Sequence, residues 1–95
     1  MDTKADNDEI VLYGTRWCYD TIRSIKVLKR KGISFQWIDI DEDHDGCEFV
    51  KSVNRGMKSV PTIVFPDGDL LVEPVNSELV ERLIQFTEND ETGEA

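Results

Sequence analysis

The sequence predicts an α/β fold in the order β-α-β-α-β-β-α, with a four-stranded mixed sheet flanked by three helices. Three observations predict it: a strand, a charged amphipathic helix and a second strand in succession; a proline-entered strand turned back through a tight turn; and a closing amphipathic helix. Ninety-five residues suffice for one domain with one modest core.

Ile10-Val11-Leu12-Tyr13 is a short run of β-branched and aromatic residues that ends at Gly14. Thr21 to Lys31 then reads as a helix. Ile22, Ile25 and Leu28 lie three apart and Val27 widens the stripe, which is expected to pack on the sheet. Lys29, Arg30 and Lys31 suit the negative end of the dipole, and Gly32 is a natural C-cap. Ile33 to Ile40 alternates Ile33, Phe35 and Trp37 with Ser34 and Gln36, the pattern of a strand with one buried face, and Ile38 and Ile40 predict a far end covered on both. A helix of this length between two strands makes a parallel, right-handed βαβ unit.

The acidic cluster Asp39, Asp41, Glu42, Asp43 and Asp45 comes next. It lacks the glycine and terminal glutamate of an EF-hand loop, so helix capping and solvation are its expected roles. Asp45 and Glu48 have the spacing of a capping box for a helix from about Gly46 to Asn54, with Phe49, Val50 and Val53 inward and an end near Gly56. Cys47 falls on the flank of that helix. Lys58 to Phe65 is a third strand entered through Pro61, and a bend there is a place for a cis peptide. The turn Pro66-Asp67-Gly68-Asp69 returns the chain antiparallel into Leu70-Leu71-Val72. Asn76 to Phe86 forms the last helix, capped by Asn76 or Ser77, with Leu79, Val80, Leu83 and Phe86 inward.

The net charge of −9 is largely a matter of the ends: residues 1–9 and 87–95 each carry four acids, with one lysine between them. Neither segment has apolar periodicity, so both are expected to be disordered tails around a domain at 10–86. Such an acidic chain lacks the footprint for nucleic acid. No run approaches the ~20 apolar residues of a membrane span, and nothing near Met1 resembles a signal peptide. A cytoplasmic monomer is expected. Two cysteines and the single His44 do not make a zinc site, and no metal is expected.

The chemistry centres on Arg16-Trp17-Cys18-Tyr19-Asp20-Thr21. Cys18 falls where the first strand gives way to the first helix, and a helix N-terminus favours an anion, which for this side chain is a thiolate. Arg16 and Arg23 add to that tendency, whereas Asp20 opposes it. Nucleophilic thiol chemistry follows. Cys47 is either an incidental free thiol or a resolving partner, the latter requiring Cα atoms within about 7 Å.

The element order, the cysteine at the start of the first helix and Ser59-Val60-Pro61-Thr62 together resemble the glutaredoxins of the thioredoxin fold. The likeness is greatest to the mycoredoxin-like members, through Tyr13-Gly14-Thr15 leading to Trp17-Cys18, Ile38-Asp39-Ile40, and Phe49 to Asn54 running into Val60 to Gly68. The resemblance implies a sheet ordered 2-1-3-4, Cys18 as nucleophile, Pro61 as a cis-proline facing it, and Val60 as the residue whose backbone pairs with a bound thiol peptide. It also implies a thiol–disulfide oxidoreductase of redox homeostasis. Its partners are disulfide-containing proteins and a small thiol, glutathione or mycothiol-like, used as cosubstrate with no permanently bound cofactor. The family's Cys-x-x-Cys is here Cys18-Tyr19-Asp20-Thr21, leaving a one-cysteine pathway in which the Thr21 hydroxyl is expected to hydrogen-bond the thiolate. Arg16 would attract the small thiol's carboxylates, and Trp17 and Tyr19 would rim the sulfur. A Glu73-Pro74-Val75-Asn76-Ser77 stretch replaces the family's Gly-Gly-x-Asp loop, with Asn76 and Ser77 left to receive an anion at a helix start. Two alternatives stand beside this reading. One is a redox-silent peptide-binding module, the other an iron–sulfur carrier, whose Cys-Gly-Phe-Ser signature is missing.

Overall fold

The structure, a computed structural model, describes residues 9–94 of the chain. Its elements are β1 (Ile10–Gly14), α1 (Tyr19–Arg30), β2 (Phe35–Asp39), α2 (His44–Val53), β3 (Thr62–Val64), β4 (Leu70–Val72) and α3 (Asn76–Glu94). The sheet is ordered β2-β1-β3-β4. β2 runs parallel to β1, with Ile10 beside Phe35 and Gly14 beside Asp39, while β3 is antiparallel to both β1 and β4. The expected architecture and strand order are those found.

Alternation along β1 sends Ile10 and Leu12 to one face, where they meet Val27 and Leu28 of α1, Leu79 and Leu83 of α3, and Ile63 and Phe65. Burying each such side chain contributes roughly 1.5–3 kcal/mol. Tyr13 points the other way and stacks on Phe49 of α2 at 4.8 Å between ring centroids. Two helices thus cover one face and α2 the other. On the α2 side, a Cβ at Gly46 would lie 2.7 Å from Ile38 Cγ2, so only glycine lets the helix approach the edge strand this closely.

Several boundaries differ from those expected, each for a local reason. In α1 the buried stripe is Thr21, Ser24, Val27 and Leu28, and Ile22 is exposed. The helix is turned about one residue from the expected face because two small hydroxyl residues permit a close approach at its upper end. Its C-terminus closes as a Schellman motif: Ile33 N–H reaches the Leu28 carbonyl, Gly32 N–H reaches that of Lys29, and Gly32 has φ 70°. β2 is an edge strand, and Trp37 is exposed rather than buried. α2 begins two residues early, because Asp43 Oδ1 accepts the Gly46 N–H at 2.8 Å and is the cap in place of Asp45. β3 starts only at Thr62, since Pro61 has no N–H to give the ladder.

α3 starts at Asn76, with the Leu79 N–H bonded to the Val75 carbonyl, so Asn76 and Ser77 lie within its first turn rather than capping it. It runs to Glu94, through residues expected to be a tail, with no proline to stop it. The expected N-terminal tail falls on residues 1–8, outside the described residues. Glu9 of that tail lies next to β1 and accepts a hydrogen bond from Ser34.

Candidate active site

The C-terminal end of β1 gathers three connections separated in sequence. Gly14 leads into the turn Thr15–Trp17 and then α1. Thr62 pairs with Tyr13, so the antiparallel register places Pro61 across from Gly14. Thr62 also pairs with Val72, which brings Glu73 and the start of α3 to the same end; the Glu73 N–H closes onto the Pro61 carbonyl at 2.9 Å. A cysteine at this end therefore lies at the meeting of its own turn with two distant segments, the bond before Pro61 and the start of α3.

Cys18 is the N-cap of α1, with extended φ −82° and ψ 122°, and its carbonyl accepts the first helical bond, from the Ile22 N–H. Its side chain makes no capping bond, so the half-buried sulfur is uncommitted. The Cys18 N–H donates to the Thr15 carbonyl at 3.4 Å, closing the turn before it. The backbone N–H groups of the first helical turn point toward the end where this sulfur lies.

The charged neighbours are arranged differently from the expectation. Arg16 pairs with Asp39 at 3.2 Å and Glu42 at 3.5 Å, so its guanidinium is held by the acidic loop after β2. Asp20, expected to oppose a thiolate, is paired with Arg23 at 3.1 Å. Arg23 then bridges to the Asn76 side-chain oxygen at 3.0 Å and the Pro74 carbonyl at 3.3 Å, tying α1 to the start of α3. Asn76 and Ser77 border a pocket of about 470 Å³ with Val27, Arg30 and Lys31, a cationic recess beside the α3 N-terminus.

Trp17 and Tyr19 flank the cysteine, each 73% exposed. The Trp17 indole N–H donates to Asp41 at 2.8 Å. Thr21 is not a partner of the sulfur: its side chain is fully buried and its hydroxyl bonds nothing among the described residues. It packs against Gly14, where a Cβ would come within 2.5 Å of Thr21 Cγ2. Cys47 is a half-buried free thiol on α2, across the sheet from α1.

Val60 precedes a cis peptide bond to Pro61. It lies outside β3 and makes no backbone–backbone hydrogen bond among the described residues. The loop before it is held by polar contacts. Asn54 Nδ2 donates to the Val50 carbonyl and to Thr62 Oγ1, and Thr62 Oγ1 donates to the Ser59 carbonyl. Sequence reasoning missed the parts played by Asp39, Asp41 and Gly14. An acidic run after a strand carries no mark of which carboxylate reaches back, and Gly14 was legible only as a strand end.

This sheet order flanked by three helices defines a thioredoxin-like fold, with a free cysteine at the start of its first helix. Residues 10–71 match the family model described as Glutaredoxin. A putative glutaredoxin of Mycobacterium tuberculosis is 34% identical over 77 residues, covering 81% of this chain and 92% of its own. Mycoredoxin 1 of Corynebacterium glutamicum is 34% identical over 74 residues, covering 78% and 91%. The crystal structure of a glutaredoxin from Archaeoglobus fulgidus superposes with a TM-score of 0.63 at 29% identity, covering 78% and 84%. The chain belongs to the glutaredoxin family and is a glutaredoxin-like redox protein.

Proposed function

We propose that the protein reduces mixed disulfides between proteins and a small thiol by a one-cysteine mechanism at Cys18. The observation that supports this is the Cys18 sulfur at the N-terminus of α1, free of any capping bond, at the end of β1 where the register sets Pro61 across from Gly14. Thiol–disulfide exchange then runs in two steps. The Cys18 thiolate attacks the small-thiol sulfur of the mixed disulfide; a new S–S bond forms on Cys18, and the target's thiolate leaves and takes a proton from water. A second small-thiol thiolate attacks that sulfur, releasing the small thiol's own disulfide and restoring Cys18. The target gains two electrons and the two small thiols supply them.

The other residues have supporting parts. Val60, with its backbone groups open, is suited to pair with the extended backbone of a peptide-like thiol such as glutathione. Asn76 and Ser77, at the start of α3 beside Arg23, offer a place for carboxylates. Trp17 and Tyr19 form the apolar rim. Arg16, already paired with Asp39 and Glu42, serves the site by holding the loop rather than by standing free beside the sulfur. A mycothiol-like cosubstrate is the second candidate, on the 34% identity with mycoredoxin 1. A cytoplasmic monomer suits this reaction.

The test is exchange with a glutathionylated peptide, and with its mycothiol counterpart, followed by intact-protein mass. Wild type and Cys47→Ser are expected to form the Cys18 mixed disulfide at equal rates, and Cys18→Ser to form none. An intramolecular Cys18–Cys47 disulfide accumulating in the wild type in place of the mixed disulfide, and lost in Cys47→Ser, would replace the one-cysteine pathway with a two-cysteine one. An inert wild type would sink the reductase reading.

A further inference from the structure

We infer that Asp41 is a positioning residue: it fixes the Trp17 indole as a wall beside the Cys18 sulfur, against which the peptide flanking a target's disulfide rests. The inference builds on the reading of Cys18 as nucleophile. Trp17 is 73% exposed, so little packing restrains its ring. The contact that does restrain it is the 2.8 Å bond from its indole N–H to Asp41 Oδ2, a charge-assisted bond.

Asp41 is itself held in place. Its N–H donates to Asp39 Oδ1 at 2.9 Å, and the Ile40 N–H donates to the Gly14 carbonyl at 3.0 Å. Asp39 Oδ2 meanwhile takes Arg16 at 3.2 Å. The loop after β2 and the loop before the cysteine are therefore cross-braced by two adjacent contacts, Arg16 to Asp39 and Trp17 to Asp41. Helix capping does not account for Asp41, because Asp43 caps α2. A freely turning indole would have to be immobilised at each encounter with a peptide, and a pre-set one spares that entropy. The effect belongs to substrate capture rather than to the sulfur exchange itself.

The experiment is single-turnover reaction of the reduced protein with a glutathionylated peptide at increasing peptide concentration. Asp41→Ala is expected to raise the half-saturating concentration roughly three- to tenfold while the limiting rate is kept. Asp41→Asn, which retains an acceptor oxygen, recovers most of the loss. Trp17→Phe, lacking the N–H, shows the same defect, and adding Asp41→Ala to it makes nothing worse. Kinetics unmoved by Asp41→Ala, or losses that add in the double variant, would overturn the inference.

A second readout is independent of turnover. With Trp37→Phe the protein has Trp17 as its one tryptophan, and Asp41→Ala should lower its fluorescence anisotropy and increase its quenching by acrylamide. Unchanged anisotropy overturns the inference even if activity falls. A wild type that fails to react with the peptide overturns the reductase reading, and the anisotropy then decides whether Asp41 holds the indole.

Discussion

Thr21 stands one helical turn beyond Cys18, and its side chain is directed into the gap left by Gly14. Its hydroxyl has no partner among the described residues, so it costs desolvation without returning a bond there. Thr21→Val, of nearly the same shape, is expected to leave exchange at Cys18 unchanged and to alter stability by no more than about 1 kcal/mol, read from denaturant midpoints. Gly14→Ala tests the other side of the same contact. With Thr21 Cγ2 only 2.5 Å from the new Cβ, α1 must shift and carry Cys18 with it, so both stability and exchange rate should fall, by roughly 1–3 kcal/mol for the former. Cys18 was legible in the sequence because a strand ends and a helix begins around it. The direction of Thr21 was not, because it depends on how closely one strand and one helix approach, a distance that spacing along the chain does not encode.

Among the elements, the hairpin depends on α3 more than its own turn suggests. Arg82, on α3, bonds Asp69 at 2.8 Å and Asp67 at 3.1 Å, and its guanidinium lies over the Phe65 ring at 4.2 Å. Phe86 meets the same ring edge-on at 5.8 Å. Arg82→Leu keeps an aliphatic stem but loses the cation, and the stacking alone is worth about 1 kcal/mol. The expected outcome is a lower melting temperature and faster amide exchange in β4, with Cys18 chemistry retained. The turn residues and the inward face of α3 were readable from Gly68 and from the spacing of Leu79, Leu83 and Phe86. The true face of α1 was not, since Ile22 and Ile25 made an apolar stripe as convincing as the buried one. Its choice between faces rests on the small volume of Thr21 and Ser24 against the sheet.

For the molecule as a whole, two titrating groups set limits on stability at opposite ends of the pH scale. The hydrogen bond from Arg82 holds the Asp69 carboxyl below the ordinary aspartate value of 3.8, outweighing the opposing effect of desolvation. The unfolded chain thus binds the proton first as pH falls, so this stabilisation is present above that value and is lost below it. Burial, aided by the charge of Asp43, raises the Tyr13 hydroxyl above its ordinary 10.0. Here the unfolded chain releases its proton first, and stability is kept below pH 10 and declines above it. Urea midpoints across pH should show both edges, and Arg82→Leu should weaken only the acid one. The site is also a property of the whole fold, joining the turn before Cys18, the peptide bond before Pro61 and the start of α3, where Arg23 reaches Asn76. During synthesis the cysteine therefore leaves the ribosome long before the segments that will surround it. At ~5–20 residues per second, it spends seconds on a nascent chain, open to the same oxidants as any other thiol, before the last helix docks and completes its surroundings.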